Sequence, residues 1–122
     1  MKVLVVDDSA TMRRIVVNTL QRLGYHDITE ASDGSEALGR FDGSFDCVLT
    51  DWNMPNMGGL DLVRGLRGRP DGRDVKIIMI TTRSVKEDIL TAAQAGVNNY
   101  VVKPFTPEVL REKLDQVFAV KA

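Results

Sequence analysis

The sequence has little of what would mark a secreted, membrane-borne or nucleic-acid-binding chain. It holds one cysteine, Cys47, in 122 residues, so no intrachain disulfide forms and a reducing compartment is expected. A single histidine, His26, leaves no nitrogen and sulfur set of the kind that grips zinc or copper. No apolar run approaches the roughly 18 residues that a bilayer-spanning helix requires. The start, Met1-Lys2-Val3-Leu4-Val5-Val6, enters a strand-like run at once and shows no signal peptide. Charge of one sign is missing too. Sixteen basic residues against 17 acidic ones give a net charge of −1, too weak a field to hold nucleic acid or an anionic membrane. A cytoplasmic chain is expected, ending where its domain ends.

What is present is ordinary globular composition, 43% hydrophobic and 27% charged, in a length that suits one domain over residues 1–122. Such a chain buries roughly two-thirds of its unfolded surface. Short apolar, β-branched runs recur at Val3–Val6, Cys47–Leu49, Ile77–Ile80 and Tyr100–Val102. Their continuous rather than alternating hydrophobicity predicts strands buried on both faces, as in parallel sheets. Asp27–Ala31 alternates and suits an edge strand.

Between the strands lie amphipathic stretches with legible ends. Met12, Ile15, Val16, Leu20 and Leu23 share a helical face that stops at Gly24. Asp33-Gly34-Ser35-Glu36 has capping-box spacing, and Ser84-Val85-Lys86-Glu87 repeats it ahead of a helix ending at Gly96. Thr106-Pro107 opens a final helix running toward Ala122. A helix around Leu60–Leu66 is crowded by glycines, and Gly68–Asp74 reads as a surface loop. The sum is (βα)5, and right-handed crossovers make it a doubly wound parallel sheet in the α/β class.

In such sheets ligands bind beyond the carboxyl ends of the strands. Those ends carry Asp7-Asp8, Asp51, Thr81-Thr82 and Lys103-Pro104. Random placement would scatter these groups over both edges, whereas three carboxylates, hydroxyls and an ammonium converge on one. Packed carboxylates repel, and a cation relieves them. An all-oxygen set with no histidine or cysteine suits Mg2+. Lysine and threonine suit the oxygens of a phosphoryl group, and a carboxylate can be the nucleophile that accepts it. Asp51, central and facing the acidic pair, is the candidate. Taken singly, each residue has a plainer role: Asp7 or Asp8 as a helix cap, Asp51 in a turn, Lys103 in a solvated loop. Cys47 reads as a core residue, His26 as exposed, Met54 and Met57 as packing, and Arg13 and Arg14 as a solvated helix face.

The ordered set Asp7-Asp8, Asp51 with Met54-Pro55, Thr81 and Lys103-Pro104-Phe105 resembles the response-regulator receiver domain of two-component signalling, over the whole chain. Thr11–Val16, Asp51–Met57, Ala92–Gly96 and Tyr100–Thr106 narrow the match to the family's chemotaxis branch. The resemblance implies a flavodoxin-like sheet in the order 2-1-3-4-5. It implies that Asp51 accepts a phosphoryl group from a histidine kinase, the chemotaxis kinase in this branch. Asp8, Asp51 and the Asn53 carbonyl would be direct Mg2+ ligands, with Asp7 acting through water. Lys103 would contact the phosphoryl group, its bond to Pro104 cis. Thr81 would be the switch hydroxyl, and Tyr100 the aromatic that turns inward as Thr81 moves. The output face would be the fourth helix, fifth strand and fifth helix, including Ser84, Tyr100, Val102 and Lys113. With no DNA-binding segment attached, the readout would be protein-protein contact with the flagellar motor switch. A phosphatase is a further expected partner, nucleic acid and membrane are not, and the chain would be a monomer.

Three positions depart from the family pattern. Thr82 stands where a smaller residue is common and would narrow access to the phosphate. Arg83, expected with Thr82 at the access to the site, stands where the best-known chemotaxis relatives carry an acid. Gly58 replaces a common acidic residue and would loosen the start of the third helix. A flavin mononucleotide carrier shares the architecture, but Asp7-Asp8 would repel its phosphate. An aspartyl phosphatase would place its nucleophile and acid two residues apart after the first strand. A stand-alone phosphorelay carrier, or a receiver excised from a larger protein, is the alternative within the family.

Overall fold

The β-branched runs form five strands that stop at a common edge, with helices on both faces. The computed structural model describes residues 1–118. The elements are β1 (Lys2–Val6), α1 (Ala10–Arg22), β2 (Asp27–Ala31), α2 (Gly34–Arg40), β3 (Cys47–Thr50), α3 (Gly59–Arg67), a 3-10 turn (Pro70–Gly72), β4 (Lys76–Thr81), α4 (Lys86–Ala95), β5 (Asn99–Val102) and α5 (Pro107–Phe118). The sheet order is β2-β1-β3-β4-β5, with every pairing parallel. This is the flavodoxin-like fold.

Alternation along the strands divides the core between the two faces. Leu4, Val6, Val48, Ile77 and Met79 pack against Ala37 of α2 and Leu62, Val63 and Leu66 of α3. Val3, Val5, Cys47, Leu49, Ile78, Ile80 and Val101 pack against Val16 and Leu20 of α1 and Leu110 and Leu114 of α5. Cys47 is fully buried, and burial, then the charge of Asp46, pushes its thiol up to about 12. It is a core residue with no thiolate at neutral pH.

Most helix ends follow their sequence signals. Asp33 Oδ1 accepts from the Glu36 N–H at 2.8 Å while Glu36 Oε1 accepts from the Ser32 N–H at 2.6 Å, a capping box shifted back by one residue. Thr106 Oγ1 accepts from the Val109 N–H at 3.2 Å ahead of Pro107. Gly96 closes α4 with φ +115°, a conformation that side chains disfavour.

Four expectations are corrected. Ser84 does not cap α4: Val85 holds that position, without a side-chain hydrogen bond. The surface loop Gly68–Asp74 is not irregular throughout. It contains the 3-10 turn and a buried Gly72, because Arg67 gathers the carbonyls of Gly72 (2.9 Å), Val75 (2.7 Å) and Gly96 (2.7 Å). β5 is an edge strand whose Val102 is exposed, so its apolar run is not buried on both faces. Arg13 is not solvated, being held as described below. The end of the expected final helix, residues 119–122, lies outside the described residues.

Ile78, fully buried in a central strand, tests the packing. Ile78→Ala is expected to cost about 2–5 kcal/mol in urea unfolding, with an unchanged m-value.

Candidate functional site

The register decides which residues meet. Val6 pairs with Thr50 and Thr50 with Met79, so Asp7 and Asp51 leave the sheet side by side. Thr81 pairs with Val102, so Lys103 leaves β5 just beyond Thr81. The Asp7 N–H still donates to the Ala31 carbonyl at 3.1 Å, and the Asp51 N–H to the Val6 carbonyl at 3.0 Å. Both aspartates are therefore anchored by the sheet before their chains turn.

Local turns then aim the carboxylates. Asp7 Oδ1 accepts from the Ser9 N–H at 2.9 Å, while Ser9 caps α1 by accepting from the Met12 N–H. Asp7 thus assists the turn, and the helix cap itself is Ser9. Asp51 Oδ1 accepts from the Trp52 N–H at 2.7 Å. Behind it, α3 approaches so closely that a Cβ on Gly59 would run into the Asp51 carbonyl. Glycine at position 59 is therefore a packing requirement. Gly58 is the α3 N-cap and offers no side-chain hydrogen bond, as its lack of an acidic group predicts.

Lys103 lies between two of the acids, its Nζ 3.2 Å from Asp7 Oδ2 and 3.3 Å from Asp51 Oδ2. All three side chains are largely shielded from solvent. The Lys103-Pro104 bond is cis. Asp8 is exposed, yet Asp7, Asp8 and Asp51 each present an oxygen within 4.8 Å of the others. Burial raises the Asp51 carboxyl above its ordinary range, against the opposing pull of Lys103 and the Trp52 N–H. Three carboxylates with oxygens within 4.8 Å of one another, two of them sharing one ammonium, are hard oxygen donors that fit a divalent cation of the Mg2+ type. Asp7, Asp8 and Asp51 are the carboxylates close enough together to hold it.

The remaining candidates surround this cluster. Thr81 is buried, its Oγ1 accepting from the Arg83 N–H at 3.3 Å. Thr82, Asn53 and Ser84 are exposed. Tyr100 is partly buried against the α2 and α3 face of the core and donates its hydroxyl to the Arg83 carbonyl at 2.8 Å. Burial and the negative charge of Asp88 raise the Tyr100 phenol above its ordinary value. Val102, on β5, is exposed, and Lys113, on α5, is half-buried.

Two arginines carry roles that sequence reasoning missed. Arg83 stacks its guanidinium 4.6 Å from the Trp52 ring centroid. The same group reaches Asn53 Oδ1 at 3.3 Å and Asp88 Oδ2 at 3.4 Å. Arg13 bridges Glu30 Oε1 at 3.0 Å and the Asp7 carbonyl at 2.6 Å. Neither is visible from spacing, because each partner lies on another element.

A sheet of this order, with paired acids after β1, an acid after β3 and a lysine after β5, is the arrangement of a phospho-acceptor switch. The chain matches the response regulator receiver domain over residues 3–115 and belongs to that family. It is closely related to the chemotaxis regulators within it: it is 57% identical over 119 residues to chemotaxis protein CheY1 of Helicobacter pylori, covering 96% of each chain. Among solved structures it is similar to the CheX-CheY-BeF3-Mg complex of Borrelia burgdorferi, with a TM-score of 0.91 and 25% identity over 99% of this chain and 90% of that one. It is also similar to the receiver domain of a Pseudomonas aeruginosa sensor histidine kinase with magnesium coordinated in its active-site cleft, with a TM-score of 0.86 and 30% identity over 98% of each. The likeness to chemotaxis proteins favours a chemotaxis regulator over the relay-carrier alternative.

The raised Asp51 carboxyl has a consequence for stability. A carboxyl whose folded value exceeds its unfolded value penalises the fold as pH rises through that range, and the penalty is complete above it. Asp51→Asn is therefore expected to raise the melting temperature of the metal-free protein at pH 7, with the gain vanishing as pH falls below the carboxylate range. Equal melting at pH 7 in calorimetry would contradict this.

Proposed function

We propose that this chain is a response regulator whose receiver domain occupies residues 1–122. It accepts a phosphoryl group from a histidine kinase onto Asp51 and signals by protein-protein contact. The observation that carries this is the Asp51 carboxylate at the end of the central strand, 3.3 Å from the Lys103 ammonium and gathered with Asp7 and Asp8 within 4.8 Å. Its 57% identity to a chemotaxis protein supports the flagellar motor switch as the target and the chemotaxis kinase as the donor. A phosphatase that shortens the signal is a further partner, and the cytoplasm is the setting.

The reaction is a displacement at phosphorus. An Asp51 carboxylate oxygen forms the new O–P bond as the donor's N–P bond breaks, and the kinase imidazole leaves with the bonding pair. Lys103, already on Asp51 Oδ2, supplies fixed positive charge to the transferred group. Asp8, Asp51 and the Asn53 carbonyl would hold Mg2+, with Asp7 acting through water, and the ion would supply Lewis acidity toward the phosphoryl oxygens. Hydrolysis of the aspartyl phosphate resets the protein, so the chain catalyses only its own phosphorylation and slow dephosphorylation. Thr82, exposed at the mouth, narrows the approach of the attacking water.

The switch begins at Thr81. Its hydroxyl oxygen accepts a long 3.3 Å bond from the Arg83 N–H, and its O–H would donate to a phosphoryl oxygen, a strong, charged acceptor. Tyr100 holds the Arg83 carbonyl at 2.8 Å, so movement of Thr81 and placement of Tyr100 both act through Arg83. The phosphate shifts the equilibrium by its differential contacts, typically about 1–3 kcal/mol of coupling. The face that reads the change carries Ser84, Tyr100, Val102 and Lys113. Beside them are the exposed apolar side chains of Val85, Ile89 and Leu90.

Incubation with a small acyl phosphate and Mg2+, read by intact mass, tests the chemistry. Gain of one phosphoryl group is expected, with none in Asp51→Asn or after chelation. The adduct should decay faster in Thr82→Ala. Phosphorylation of Asp51→Asn would overturn the assignment, and an unchanged decay would remove the role of Thr82.

A further inference from the structure

Arg13 follows the acidic pair by one helical turn, yet its side chain is only 20% exposed. Its Nε donates to Glu30 Oε1 at 3.0 Å and its Nη1 to the main-chain carbonyl of Asp7 at 2.6 Å. That carbonyl stands where the chain leaves β1. Among the described residues no backbone N–H donates to it, and the guanidinium supplies its partner. The other polar groups of Asp7 are held as well: its N–H by the Ala31 carbonyl, Oδ1 by Ser9 and Oδ2 by Lys103.

Asp8 is treated differently. It is exposed, and among the described residues its carboxylate accepts no hydrogen bond. Its aim is set by the peptide that joins it to Asp7, and the carbonyl that Arg13 grips belongs to that peptide. Glu30 sits in β2 in register with Val5 of β1. The arginine is therefore tethered to the same sheet it braces.

We propose that Arg13 is a positioning residue for the metal site: by bridging Glu30 to the Asp7 carbonyl, it fixes the Asp7–Asp8 peptide and aims the Asp8 carboxylate at the bound cation. This deepens the Mg2+-dependent function above and rests on it. A guanidinium suits the task because its planar fork serves two acceptors at once, which a lysine ammonium on a flexible stem does not reproduce. The Arg13–Glu30 pair is neutral overall, so it adds little field to the acidic cluster and acts through geometry. Groups that orient a metal ligand in this way typically change metal affinity by about 10–100-fold when removed.

Mg2+ affinity, measured by calorimetric titration of the full chain, tests the inference with two variants that leave local net charge unchanged. Arg13→Gln combined with Glu30→Gln is expected to weaken Mg2+ binding about tenfold. Arg13→Lys should lie between that variant and the wild type, and Arg14→Lys on the exposed face should match the wild type. The maximal rate of phosphorylation at saturating Mg2+ should stay near the wild-type value in all of them, which a general disruption of the fold would not allow. Should the double variant fail to fold, Arg13→Lys alone decides. Wild-type Mg2+ affinity in a folded charge-neutral variant overturns the role of Arg13. If the wild type itself neither binds Mg2+ nor gains a phosphoryl group, the failure lies with the function above.

Discussion

Lys103 Nζ sits between Asp7 and Asp51, 3.2 Å from one carboxylate and 3.3 Å from the other, and the rest of the site is arranged around that ion pair. One ammonium cannot balance three carboxylates, and Asp8 remains facing outward beside the pair. Repulsion left over in a partly shielded site is relieved by a proton or by a metal ion. Lys103 and Asp7 lie 96 residues apart, and the parallel sheet, with its strand ends on one edge, brings them together. Three buried strands of ordinary apolar residues, β1, β3 and β4, thus act as the jig that holds the charges.

The same edge is wired to a surface some distance away. Arg83 is the joint: its N–H donates to Thr81, its carbonyl accepts from Tyr100, and its guanidinium lies on Trp52 and reaches Asn53 and Asp88. The loop after β3, the start of α4 and the middle of β5 therefore share one residue. At its far end α4 is tied down by Arg67, which holds the Gly96 carbonyl. Its start has no side-chain cap, so a change at Thr81 meets the less restrained end of the helix.

Much of this was legible in the sequence because the signals are local. Val3–Val6, Cys47–Leu49 and Ile77–Ile80 announce buried strands, and the acids and lysine that follow them announce the edge. Asp33-Gly34-Ser35-Glu36 and Thr106-Pro107 cap as their spacing predicts. Local patterns failed where a side chain's partner is distant. Arg13, on α1, reads as solvated because its partner Glu30 lies on β2, and Gly68–Asp74 reads as a plain surface loop because Arg67 organises it from α3. Ser84 has the right spacing for a cap, but the chain enters α4 one residue later. Tyr100–Val102 reads as doubly buried because an apolar contact surface and a core strand have the same composition; Val102 instead faces out. The strand order came from family resemblance, since five βα units admit more than one winding.

Anomalous diffraction from crystals grown with Mn2+, a hard divalent surrogate for Mg2+, tests the central claim most directly. The account predicts a peak bridging the Asp8 and Asp51 carboxylates beside the Asn53 carbonyl, with Lys103 still on Asp51. A fully occupied manganese site elsewhere, with the acidic edge empty and Lys103 turned away, would contradict it.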